Sequence, residues 1–146
     1  MEFRYGLNIA GLHFLIKCPF PVTLPECFRP FMTAGEPPAG ADVTVSVRIG
    51  APEPTPGCAA REFRLSRGRS IFRLEPENAP ENIELYIPSD FRDRFAEGAN
   101  WLLYLALERP LLRFGRVIMH ASAVVYGGRA YVFTAPSGGG KSTQAG

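Results

Sequence analysis

Residues 124–143, "VVYGGRAYVFTAPSGGGKST", limit what this chain can fold into more than any other stretch. Two runs of β-branched and aromatic residues flank Gly127-Gly128. Two glycines accept positive φ at both central positions of a two-residue turn, so the segment predicts a tight β-hairpin. Its first arm extends back through "GRVIMHASAVV" and reads as a strand buried on both faces, while "AYVFTA" is the returning strand. That strand leads directly into three consecutive glycines followed by Lys141, Ser142 and Thr143.

Ala135–Ser142 fits the phosphate-loop (Walker A) pattern G-x-x-x-x-G-K-[ST], with alanine in place of the first glycine. Pro136, Ser137, Gly138, Gly139 and Gly140 form the loop. Lacking β-carbons, the three glycines let backbone N–H groups converge on phosphate oxygens, and a helix starting behind them adds its dipole. Lys141 is expected to reach the terminal phosphates, the Ser142 hydroxyl to ligate Mg²⁺, and Thr143 to supply a second hydroxyl near the phosphates. The competing reading is a flexible Gly/Ser tail beside a lysine.

Upstream, the pattern divides at residue 88. "GLHFLIK" suggests an opening strand, "ADVTVSVRIG" is a clear period-two strand, and the proline-rich stretch between them reads as an irregular covering segment. "AREFRLSRGRSIFRLEP" looks like two strands joined at Arg67-Gly68, and "NIELYIP" is a further strand. Residues 1–88 are thus a β-rich N-terminal unit. From Ser89 the period becomes helical: Ser89 or Asp90 is a candidate N-cap, Phe91, Phe95, Ala99, Leu102, Leu103 and Ala106 recur at helical spacing, and Pro110 is the expected stop. Residues 89–146 then comprise one long helix, the hairpin and the loop. The fold class is α+β.

At 146 residues and 46% hydrophobic, the chain buries a core of ordinary size. "MEFRYGLNIAGLHFLIK" is interrupted by Asn8, His13 and Lys17, which fits neither a signal peptide nor a membrane span, so no membrane association is expected. Cys18, Cys27 and Cys58 are odd in number and lack close pairing, the pattern of reduced packing residues in a cytoplasmic protein. The formal charge of +2 is unevenly spread: Arg109, Arg113, Arg116, Arg129 and Lys141 lie at the glycine-loop end, where no acidic residue follows Glu108. A positive field there favours an anion such as phosphate. The basic residues form neither a run nor a set interleaved with aromatics, so nucleic acid is not an expected partner.

The segment "VIMHASAVVYGGRAYVFTAPSGGGKST" resembles the core of the HPr kinase/phosphorylase-like family, in which a strand carrying a His-Ala-Ser or His-Gly motif turns through a short hairpin into the phosphate loop. The specific match runs from about Gly115 to Thr143. The resemblance implies an ATP-dependent kinase core related in fold to phosphoenolpyruvate carboxykinase, with ATP and Mg²⁺ as cofactors and a protein, peptide or small molecule as hydroxyl acceptor. His120 matches the family histidine near the phosphate site, which makes it the candidate catalytic residue. Read without the family, an isolated histidine in an apolar strand is more often a hydrogen-bonded core residue. Ser122, on the same face, either holds the imidazole or fills space.

The chain departs from the family in one respect. Phosphoryl transfer needs a second Mg²⁺ partner and a group orienting the acceptor, and in these relatives both follow the loop. Only Gln144, Ala145 and Gly146 follow it here. The expectation is therefore the N-terminal part of a longer phosphate-loop kinase, inactive by itself, with strand edges that pair with another copy to form a homo-oligomer. The alternative from a different class is a non-catalytic binding module with a vestigial loop.

Overall fold

The computed structural model describes residues 1–24, 26–33, 40–65, 68–97, 103–119 and 121–134. The chain divides into two compact units, Met1–Arg116 and Val117–Gly146.

The first unit is built on a six-stranded sheet of β1 (Phe3–Ile9), β2 (Leu12–Cys18), β3 (Val43–Ile49), β4 (Cys58–Arg64), β5 (Ser70–Pro76) and β6 (Asn82–Ile87), in the order β1-β2-β3-β6-β5-β4. β1 pairs antiparallel with β2, β2 parallel with β3, and β3 parallel with β6; β6, β5 and β4 continue antiparallel. The single opening strand expected over residues 11–17 is in fact an antiparallel pair. Ile9 and Leu12 face each other across a two-residue turn in which Ala10 and Gly11 have φ of 53° and 79°.

Period-two alternation builds the core on one face. Val43, Val45 and Val47 of β3 stand beside Ile83, Leu85 and Ile87 of β6, all buried, next to Phe14, Ile16 and Cys18 of β2. Each such aliphatic side chain contributes about 1.5–3 kcal/mol on leaving water. Within the proline-rich stretch, Phe20, Val22 and Phe28 join this core, and a 3₁₀ turn spans Glu26–Phe31.

The helical residues close the same core, but not as the one long helix the periodicity predicts. A 3₁₀ turn (Ser89–Phe91) leads into α1 (Arg92–Glu97), and after residues 98–102, which lie outside the described ones, a π turn (Leu103–Leu107) leads into α2 (Glu108–Arg113). Phe91, Phe95, Leu105, Ala106, Leu107 and Leu111 are buried, and the Phe95 ring meets Phe20 edge-on at 6.3 Å. Neither Ser89 nor Asp90 is the N-cap: Pro88 takes that position without a side-chain bond, and the Asp90 carboxylate accepts from Arg69 at 2.9 Å instead. Pro110 does not stop the chain either. It sits in the first turn of α2, where a missing N–H costs no intrahelical bond, and the helix runs on to Arg113.

In the second unit, β7 (Ser122–Tyr126) and β8 (Arg129–Phe133) form the expected antiparallel hairpin. Tyr126 is opposite Arg129, and Gly127 and Gly128 have φ of 56° and 73°. The first arm is shorter than expected, since residues 116–119 have no regular structure and the ladder begins at Ser122 opposite Phe133. Nor is it buried on both faces: Val125 and Tyr126 are 76% and 77% exposed. The five-residue β8 pairs with only five residues of the first arm, and the hairpin has no other strand partner among the described residues. No helix among the described residues is long and apolar enough to cross a membrane.

Candidate functional site

His120 and the loop residues Ser137, Gly138, Gly139, Gly140, Lys141, Ser142 and Thr143 lie outside the described residues. What the structure describes is the approach to them. β7 opens at Ser122, β8 closes at Phe133 opposite it, and the backbone proceeds through Thr134 toward Ala135. Both glycines of the turn adopt the left-handed conformation that a two-residue hairpin connection demands.

The charge at the basic end differs in space from its count along the chain. Arg109 Nη1 lies 3.0 Å from Glu75 Oε2, and Arg113 Nη2 donates to the same oxygen at 3.4 Å. Arg116 Nε donates to the Ala10 carbonyl at 2.9 Å, and a second N–H of its guanidinium reaches the Phe114 carbonyl. Three of the five cations at that end are therefore engaged within the first unit.

The Glu75 carboxylate is the centre of this network. β5 alternates so that Ile71, Arg73 and Glu75 share the core face, and Arg73 and Glu75 are only 1% and 4% exposed. Arg73 Nη1 donates to the Leu105 carbonyl at 3.0 Å. Arg73 Nε lies 2.9 Å from Glu75 Oε1, yet neither atom is aligned for a hydrogen bond, and Arg73 Nη2 has no hydrogen-bond partner among the described residues. Arg61 and Arg73 both sit over the Phe63 ring, at 5.2 and 5.5 Å from its centroid. Burial pulls the Arg73 guanidinium below its ordinary pKa; Glu75 opposes that shift, while Arg109 and Arg61 add to it.

Arg73 and Glu75 carry no motif, and the one sequence signal for them is their shared parity with the buried Ile71. The other histidine, His13, donates its backbone N–H to Asp42 Oδ2 at 2.8 Å. Among the described residues no group of three or more His, Cys, Asp or Glu side chains is placed to hold a metal ion.

No protein-family model, curated protein or solved structure matches the chain.

Proposed function

We propose that this chain is the N-terminal part of an HPr-kinase-like ATP-dependent kinase, and that it binds nucleotide phosphates through Ser137–Thr143. The complete protein would phosphorylate a hydroxyl on a protein, peptide or small molecule. One observation carries the reading: the pattern Ala135–Ser142 is entered directly from an apolar strand, which is where a phosphate loop has to sit. The left-handed turn at Gly127-Gly128 and the pairing of β7 with β8 support it, because they put that strand next to the one leading from His120.

The donor set fits a polyphosphate. Backbone amides of three glycines, one ammonium and three hydroxyls are all anion donors. Mg²⁺ is served less well, since Ser142 offers a single oxygen and the phosphates and water must supply the rest. A cytoplasmic location belongs to the same proposal and agrees with the free thiols of Cys18 and Cys58. So does self-association along open strand edges, which sedimentation at high micromolar concentration tests; a monomer there counts against it.

Amide resonances report on the loop directly. On addition of ATP, those of Gly138 to Lys141 should shift and saturate. Shifts absent from these residues would return the chain to the reading of a binding module with a vestigial loop.

A further inference from the structure

The arginines around Glu75 outnumber their counter-charges. Arg73, Arg109 and Arg113 gather around one buried carboxylate, with Arg61 and Glu108 as further charged neighbours of Arg73. Arg73 is fully buried and still carries donor atoms without a hydrogen-bond partner among the described residues, so Glu75 does not exhaust the donors assembled there.

Arg109 and Arg113 are one helical turn apart on α2 and converge on the same atom, Glu75 Oε2, at 3.0 and 3.4 Å. Each is close to half exposed, at 46% and 41%, while Glu75 is buried beneath them. A guanidinium presents five N–H donors in a planar fork, and one oxygen occupies few of them. The remaining donors of two adjacent forks thus face solvent, fixed from below by a carboxylate that a ligand does not need to displace.

We propose that Arg109 and Arg113, held in place by Glu75, form a binding site for a phosphoryl dianion, separate from the glycine loop. The choice of a dianion follows from the charge. Arg73, Arg109 and Arg113 against Glu75 leave a surplus of two, the charges of Arg61 and Glu108 beside Arg73 offsetting each other, and phosphate or a phosphomonoester neutralises that surplus where a single carboxylate does not. The bidentate forks also match the geometry of phosphate oxygens.

The test uses the full chain with Lys141→Ala, which removes the loop lysine as a competitor. Arginine Nε–Hε resonances are followed by NMR during titration with inorganic phosphate above pH 8 at constant ionic strength, with O-phosphoserine as a second arm. The Arg109 and Arg113 signals should shift and saturate, and whichever probe binds tighter identifies the source as free phosphate or a phosphorylated group. Replacing both arginines by lysine, which keeps the charge and loses the forks, should weaken binding about tenfold or more. Shifts that rise without saturating, or that match those produced by chloride, would overturn the proposal. So would equal affinity in the folded double-lysine protein.

Discussion

Glu75 Oε2 lies 3.0 Å from Arg109 Nη1, an ion pair that fastens strand β5 to helix α2 with the carboxylate 4% exposed. Taking a charge out of water is costly, and this one is tolerated because Arg73, Arg109 and Arg113 surround it. Removing the carboxylate leaves the buried Arg73 guanidinium without its counter-charge. Glu75→Ala is therefore expected to lower stability by about 3 kcal/mol in urea unfolding, and Glu75→Gln by less. A loss under about 1 kcal/mol for the alanine variant contradicts the network's structural role.

The β1–β2 turn holds a second testable strain. Ala10 has φ of 53°, a conformation that costs an L-residue with a β-carbon about 1 kcal/mol and that asparagine tolerates better. Ala10→Asn should raise stability by about 0.5–1 kcal/mol while the Arg116 bond to the residue-10 carbonyl is retained. Thermal unfolding checks this, and a lowered midpoint would mean that the turn is not of this type.

Burial at the end of β2 pushes the Cys18 thiol up to about 12 from its ordinary value of 9.0, with Glu2 adding to the shift. The folded thiol holds its proton more tightly than the unfolded one, so its contribution is complete below about pH 9 and falls as pH rises from there toward about 12. Tyr86, raised by burial and by its bond to Glu84, acts in the same direction, and Cys18→Ala separates the two. Unfolding free energy should decline less steeply with alkaline pH in that variant than in the parent. In the native fold, alkylation followed by peptide mapping should label Cys58 well before Cys18.

Much of the sheet was legible because its strands follow the two rules that sequence displays most openly. Val43, Val45 and Val47 alternate cleanly, and Gly127-Gly128 can hardly be anything other than a hairpin turn. Phe3, Tyr5, Leu7 and Ile9 alternate as well, but Ala10-Gly11 lacks the Asn-Gly signature, and β1 was missed. The helical stretch misled because Pro110 stops a helix only from its interior, and the start of α2 two residues earlier is set by packing of Leu105, Ala106 and Leu107. The Glu75 network was legible only in part: parity with Ile71 turns Arg73 and Glu75 inward, but the pairing partners Arg109 and Arg113 come from α2, far along the chain. The phosphate-loop pattern is written in consecutive residues, Ala135–Ser142, which lie outside the described ones.

ATP turnover by this chain is expected to stay at background. Under the proposed function, Lys141 and the loop amides would attract phosphates in the ground state about as well as in the transition state, and such uniform binding does not speed the chemical step. A rate requires a positioned metal and acceptor, and no Asp or Glu follows Glu108 to complete the metal site. Phosphate release assayed with ATP and Mg²⁺ should not differ between the chain and Lys141→Ala. Turnover abolished by that substitution would show that a carboxylate from residues 1–108 or from a second copy completes the site.

The most direct measurement is calorimetric titration of ATP·Mg²⁺ into the chain and into Lys141→Ala at two salt concentrations. Saturable binding that weakens with salt is expected, falling about tenfold or more when the lysine is removed, the loss of a charge-assisted contact to the terminal phosphates. Equal affinity for the two proteins, or no binding by either, would contradict it.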